Sequence, residues 1–345
     1  GWIAAGKAHD AARMLTARLA EGKGGALARV TLVKALLAAG EVEAALAEAR
    51  EAVSLNPGLP QVLVALGEAL LAAENLPAAI SELQRALRQD PDHPQARLLT
   101  GRAWLEAGEA DKALEILARL DPGMPGIADL RARAEAIKQC ARSDPGYVRH
   151  LFDQFSADYD ARMRGPLAYS APEILAELAQ WVMPGREALD VLDLGCGTGL
   201  AGAVFRPLAA RLDGIDLSPA MIEKARAKNL YDALFVGDIE KTLASPGPLY
   251  DLIIAADTLV YLGDLKPVLA GAHARLKLEG YFLFTVEAGE KDFALGPKRR
   301  WRHGEAYLRQ AAEAAGFRVM GLIGASPRQE AQAPVAGFAL ALVRI

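Results

Sequence analysis

Two aspartates and a run of glycines carry the clearest chemical signal in this sequence. Val191-Leu192-Asp193-Leu194 reads as a strand and runs into Gly195-Cys196-Gly197-Thr198-Gly199, after which a helix begins. Glycines permit a tight turn and let a ligand approach the backbone. The helix start supplies unpaired N–H groups. Such a place suits a nucleotide-like or carboxylate-bearing cofactor. Asp216 closes the next predicted strand, within Gly214-Ile215-Asp216, where an acid can accept hydrogen bonds from both ribose hydroxyls. The pattern has two readings. Gly197-Thr198-Gly199-Leu200-Ala201-Gly202 also spells a dinucleotide fingerprint, so an NAD-dependent enzyme is the rival. Asp193, two residues before Gly195, tilts the choice. A carboxylate there repels a pyrophosphate but pairs with the ammonium of a methionine moiety.

Ligands of parallel sheets sit beyond the C-terminal strand ends, and that rule nominates the remaining chemistry. Asp257 and Tyr261 follow the fourth predicted strand and Glu287 the fifth. The stretch Lys298-Arg299-Arg300-Trp301-Arg302-His303 leads toward the sixth. Asp257, His303 and Tyr261 are the candidate catalytic residues. Glu287, Arg299, Arg300 and Arg302 are the candidate acceptor contacts, the arginines suiting a carboxylate- or phosphate-bearing acceptor. No Cys/His arrangement has metal-ligand spacing, so no metal is expected.

The elements that position these residues are strands alternating with helices. Strand-length apolar runs are Leu189–Leu194, Leu212–Leu217, Leu234–Val236, Leu252–Ala256 and Tyr281–Val286. Helices are predicted over Leu200–Ala210, Pro219–Asn229, Leu265–Leu276 and Glu305–Ala315, with two more ahead of the sheet at Tyr147–Arg164 and Pro172–Met183. Continuous apolar strands imply a parallel sheet covered on both faces. Phe317–Ile323 and Val335–Val343 read as two late strands joined only by Ser326–Pro334, so they are expected to pair antiparallel.

The first 140 residues read differently. They are rich in Ala and Leu and repeat every 34 residues: Ala45, Ala79 and Ala113 fall in register, as do Pro57, Pro91 and Pro125, and Gly67 matches Gly101. Small residues suit the contact between two helices of a hairpin, and Pro follows the second helix because it cannot continue one. This part resembles tetratricopeptide repeats, three units over roughly residues 26–125, with a closing helix near residues 126–140. Gly6 and Ala11 fall one period before Gly40 and Ala45, and the chain begins with Gly1 rather than Met. It is therefore expected to open partway through an earlier repeat. The turn Ser143-Asp144-Pro145-Gly146 marks a joint. The expected organisation is multidomain: an all-α repeat solenoid over residues 1–140, then an α/β Rossmann-like domain over residues 141–345.

The second part resembles class I S-adenosylmethionine-dependent methyltransferases. Asp193–Gly199, Gly214–Ser218, Gly237-Asp238-Ile239 and Asp251–Ile254 match that family's motifs in order. Repeats joined to such a domain resemble a bacterial group of repeat-containing methyltransferases, related to trans-aconitate and ubiquinone-type enzymes. The resemblance implies S-adenosylmethionine as cofactor. It places Asp193, Gly195, Cys196 and Gly197 around the methionine part and Asp216 at the ribose. Leu217 and Met221 would pack on adenine, with Asp238 and Ile239 at its amino group and face. Ala256 would line the methyl side, and Phe155 and Tyr159 would close the site. The acceptor would be a small molecule or one carried on a peptide or protein that the repeats recruit. A non-enzymatic repeat adaptor with a degenerate second domain is the other alternative.

Composition bounds the rest. A net charge of -4 argues against a nucleic-acid surface spread over the molecule. No apolar run is long enough for a membrane span. Two cysteines, Cys140 and Cys196, are too few for a disulfide framework and read as reduced thiols. With no signal peptide visible, the expectation is a cytoplasmic protein.

Overall fold

The computed structural model describes residues 6–156, 158–296 and 299–345. The chain forms two compact units that divide between Gln139 and Cys140.

The first unit is built from α1 (Ala8–Ala20), α2 (Gly25–Ala38), α3 (Val42–Leu55), α4 (Pro60–Ala72), α5 (Leu76–Gln89), α6 (Pro94–Glu106), α7 (Ala110–Leu117) and α8 (Ile127–Gln139). The 34-residue register becomes packing. Gly67 on α4 faces Leu83 on α5, and a Cβ there would sit 2.6 Å from the leucine Cγ. One period later Gly101 on α6 meets Leu117 on α7 in the same way, at 2.6 Å. Ala45, Ala79 and Ala113 are fully buried between helices. Each first helix of a pair ends on a left-handed residue: Gly40 at φ +78°, Glu74 at φ +56° and Gly108 at φ +69°. The following N–H returns to a carbonyl five residues back, as in Asn75 to Leu70, which closes the helix end. Glu74 holds the conformation without a glycine's freedom.

The second unit opens with α9 (Pro145–Phe155), α10 (Tyr159–Arg164) and α11 (Ala171–Val182). Then come β1 (Leu189–Leu194), α12 (Leu200–Phe205), β2 (Ala209–Asp216), α13 (Pro219–Ala227), β3 (Ala233–Val236), α14 (Ile239–Ala244), β4 (Tyr250–Ala255), α15 (Lys266–Arg275) and β5 (Leu276–Ala288). The chain finishes with β6 (Phe293–Leu295), β7 (Trp301–His303), α16 (Glu305–Ala314), β8 (Phe317–Ala325), β9 (Gln329–Glu330), β10 (Ala333–Pro334) and β11 (Gly337–Arg344).

The main sheet has the order β3-β2-β1-β4-β5-β11-β8. β11 runs antiparallel to both neighbours, as the short connection requires, and it inserts between β5 and β8. Both sheet faces are buried. Phe282, Phe284 and Val286 of β5 point into one core with α15 and α16. Tyr281 and Leu283 point into the other with α11 and α12. This two-sided burial is why the strands read as unbroken apolar runs.

Three local readings change. The helix expected over residues 200–210 stops at Phe205 and passes through a short 3-10 turn, Arg206–Leu208, and β2 begins at Ala209. The Arg206 guanidinium holds that exit by donating to the Ala209 carbonyl at 2.6 Å. The single helix expected over residues 147–164 is two, α9 and α10. The turn before the last strand is a small hairpin, β9 against β10.

Candidate functional site

The glycine loop leaves β1 at the centre of the sheet, where strand order reverses between β2 and β4. Gly195 is needed twice: its φ is +68°, and a Cβ there would collide with the Thr258 side chain after β4. The loop is tied to the second strand from both sides. Gly195 and Cys196 donate their N–H groups to the Ile215 carbonyl, and the Gly197 N–H donates to Asp216 Oδ2 at 2.9 Å. Asp216 Oδ1 accepts from the Ser218 N–H at 2.8 Å. Burial pushes the Asp216 carboxyl up to about 6 even though those two backbone donors favour its charged form.

Asp193 is the most unusual group in the unit. It is 1% exposed. Its Oδ2 accepts from the Tyr231 hydroxyl at 2.7 Å, and its Oδ1 is buried with no partner in the protein. Burial pushes its carboxyl to about 7, against the opposing pull of the Tyr231 hydrogen bond. A buried, unsatisfied carboxylate oxygen costs free energy unless a donor arrives. An ammonium at the loop meets that need, so these residues fit the amino-acid end of S-adenosylmethionine. They do not fit a dinucleotide equally well, because a pyrophosphate at the loop brings no donor and would face the carboxylate's charge.

The remaining expected contacts divide. Leu217 packs with Val148, Phe152, Val260 and Tyr261 in a small cluster under α9. Met221 is fully buried, its N–H capped by Ser218 Oγ. Ile239 is buried at the start of α14. Asp238 caps α14 through the Lys241 N–H and is clamped by Arg142, whose Nη2 lies 2.6 Å from Oδ2. Burial raises the Asp238 carboxyl, but the Arg142 hydrogen bond and the Lys241 N–H outweigh it and hold the group low. The Cys196 thiol is buried and pushed well up, so it stays protonated.

α9 and α10 lie over the loop. Ser218 Oγ donates to Asp153 at 2.5 Å. Thr198 Oγ donates to Asp160, whose other oxygen pairs with Lys228 at 2.6 Å. Burial raises the Tyr159 hydroxyl, and Tyr261, Asp257 and Asp216 push it the same way. Phe155 does not close the site. It is 40% exposed, with the Arg162 guanidinium over its ring. Phe152, one turn earlier, takes the inward place, edge-on to Tyr159 and to Tyr261. The Tyr169 hydroxyl donates to the Ala256 carbonyl at 3.1 Å and lines the same space from the α10–α11 turn.

Beyond β4 and β5 the structure gathers a charged cluster that the sequence reading only half named. Asp257 holds φ +55°, its N–H donating to Thr285 Oγ1. Arg328, 1% exposed, donates to Asp257 Oδ1 at 2.6 Å, to Glu287 Oε1, and to Glu330 at 3.2 Å. Arg300 Nη1 lies 3.5 Å from Asp257 and 3.8 Å from Glu287, with its guanidinium over the Tyr261 ring. Arg302 reaches Glu287 Oε2 at 3.4 Å. Burial raises the Asp257 carboxyl, and Glu287 and Glu330 add to that against the pull of Arg300 and Arg328. Arg328 and Glu330 carried no motif. Their signal was topological: they follow β8, which runs parallel to β5, so they emerge at the ligand end of the sheet.

Two expectations are corrected here. Arg300 already lies against Asp257, Glu287 and Glu330, and Arg302 against Glu287, so neither is a bare anion site; Arg299 instead lies over the Tyr147 ring. Lys298 lies outside the described residues. His303 is not placed to act on an acceptor. It is fully buried on β7, its Nε2 paired with the Gly263 carbonyl at 3.0 Å and its ring stacked on Tyr307. Burial drives its pKa down to about 4, so it is neutral. The reason is strand alternation: Arg302 points to the charged cluster, so its neighbour on β7 must point away.

These features define a Rossmann-like α/β domain with a carboxylate at the end of β1, just ahead of the glycine loop at its switch point, preceded by paired helices in register. A family model described as methyltransferase domain matches residues 192–282, and one described as tetratricopeptide repeat matches residues 64–126. The second unit thus carries a methyltransferase domain and the first carries tetratricopeptide repeats. Human methyltransferase-like protein 27 is 33% identical over 139 residues, which is 39% of this chain and 54% of that protein. Trans-aconitate 2-methyltransferase of Escherichia coli O1:K1 / APEC is 48% identical over 77 residues, 21% of this chain and 29% of that enzyme. The chain therefore spans about half, or less, of the length of these two relatives. Magnesium protoporphyrin IX methyltransferase from Synechocystis PCC 6803 aligns with 59% of this chain and 100% of its own, at 20% identity and a TM-score of 0.47. Among the described residues no helix is long and apolar enough to cross a membrane, and no cluster of His, Cys, Asp and Glu is arranged to hold a metal.

Proposed function

We propose that this protein binds S-adenosylmethionine at the glycine loop and transfers its methyl group to an acceptor held beyond β4 and β5. The observation that carries the reading is the unpartnered, buried Oδ1 of Asp193, with Asp216 at the end of the next strand. The cofactor supplies an electrophilic methyl on a sulfonium with an excellent leaving group. The chain's contribution is to bind, align and exclude water. Asp193 takes the ammonium and Asp216 the ribose hydroxyls. Asp238 and Ile239 stand for the adenine. Tyr159, Tyr169 and Tyr261 narrow the acceptor space under α9 and α10. Where the acceptor carries a proton, Asp257 is the base: burial keeps its carboxyl above the ordinary range, and Arg328 holds it in place.

The acceptor is a small molecule or a group carried on a protein that the repeats recruit. Stacked helical hairpins of this kind present a concave surface suited to an extended segment or a helix. Calorimetry with S-adenosylhomocysteine and NAD on the full chain tests the cofactor; binding of NAD alone sinks the reading. Comparing kcat/KM for one acceptor free and attached to its carrier protein tests recruitment. Equal values defeat it.

A further inference from the structure

Tyr231 lies just before β3, in no motif, yet its side chain reaches the centre of the glycine loop. The turn that carries it is fixed. Asp232 accepts from the Leu212 N–H at 2.8 Å and from Arg206 at 2.8 Å, and Arg206 also donates to the Leu230 carbonyl. The ring then fills a slot made by three glycines from two elements. A Cβ at Gly199 would lie 3.0 Å from the ring, one at Gly214 2.8 Å from it, and one at Gly202 would strike the hydroxyl. From this slot the hydroxyl donates to Asp193 Oδ2 at 2.7 Å, while Oδ1 is left without a partner.

We propose that Tyr231 is a positioning residue that fixes the rotation of the Asp193 carboxylate and presents Oδ1 to the cofactor's ammonium. The proposal rests on the function proposed above. A carboxylate buried on all sides has no water to orient it, so the one short hydrogen bond sets its plane. The charge state follows from the same contact. A hydroxyl bonded to a carboxylate favours the ionised form, which an ammonium requires. The titratable groups acting near Asp193 are Tyr231, Asp216, Cys196 and Tyr169. The last three are neutral or acidic, so Tyr231 is the group among them that favours ionisation.

Tyr231→Phe keeps the ring in its slot and removes the hydroxyl. Calorimetric affinity of the full chain for S-adenosylhomocysteine is measured from pH 6 to pH 8.5, beside 5′-methylthioadenosine, which lacks the amino-acid end. We expect the homocysteine compound to bind about tenfold more weakly at pH 7.5, because removing a hydrogen bond to a charged group raises the Asp193 midpoint by roughly one to two pH units. Its affinity keeps climbing past pH 8 in the variant, whereas 5′-methylthioadenosine binds both proteins alike. An unchanged midpoint overturns the proposal, as does equal loss for both compounds. If the unaltered protein binds neither compound, it is the proposed function that fails.

Discussion

Replacing Asp193 with asparagine is expected to make the cofactor-free protein more stable at high pH while weakening the cofactor. The Asp193 carboxyl titrates near 7 in the folded state against an ordinary value of 3.8. Below pH 3.8 it is protonated whether the chain is folded or not, and it contributes nothing to the pH dependence. As pH rises from there, the unfolded chain releases the proton and the folded chain holds it, so stability falls. Above about 7 the charge is present in both states and the penalty is complete, on the order of 4 kcal/mol. Asparagine removes the charge and with it the slope. Between pH 5.5 and pH 8.5 the advantage of Asp193→Asn over the unaltered protein should therefore grow by about 2 kcal/mol. For a unit of this size that is roughly a 4–8 °C growth in the melting-point difference.

The cofactor shows the opposite sign. An ammonium needs the ionised carboxylate, of which about a tenth is present at pH 6 and about three-quarters at pH 7.5, so affinity for S-adenosylhomocysteine should rise about eightfold over that interval. In Asp193→Asn the rise disappears and binding at pH 7.5 falls by about ten- to a hundredfold, the worth of a charged hydrogen bond. Scanning calorimetry and titration calorimetry at the same pH values read both effects. Parallel stability–pH curves for the two proteins would refute the reasoning, as would equal affinity at pH 7.5.

Asp216→Ala should weaken S-adenosylhomocysteine by roughly 1.5–3 kcal/mol for each ribose bond lost, measured by the same titration; near-normal affinity removes Asp216 from the site. The buried His303 titrates near 4, so the folded state disfavours its charge, and stability contributed by the neutral ring is lost as pH falls from 6.5 toward 4. His303→Asn should flatten that limb of the melting curve and leave the pH profile of methyl transfer in place; a hundredfold loss of kcat would restore His303 as the base. Arg328→Met removes the closer of the two guanidiniums shared by the buried Asp257 and Glu287 and leaves only the more distant Arg300, and it should cost about 3–5 kcal/mol of stability in urea denaturation. Gly67→Ala pushes a methyl into Leu83 and should destabilise the repeats by about 1–3 kcal/mol, read as a lower urea midpoint for helix loss.

Local periodicity made much of this protein legible from its residues alone. The register of Gly67 with Gly101 is short-range: each glycine meets a leucine on the next helix, so a 34-residue repeat determines the contact. The strands were legible because burial on both faces leaves no polar alternation. The loop and its two acids were legible because the turn, the helix start and the strand end are neighbours in sequence. Position within that frame was another matter. Phe155 and Phe152 share one helix, and only the packing of α9 on the loop decided that Phe152 faces inward and Phe155 faces solvent. His303 and Arg302 are adjacent, and the edge at which β7 joins β5 sent one into the core and the other to the charged cluster. Arg328 reached Asp257 across 71 residues, and Tyr231 reached Asp193 across 38. Such contacts depend on how strands are ordered in the sheet. The residues determined by themselves that a carboxylate would stand before the glycines; the tertiary structure decided which of its oxygens is held and which is left open.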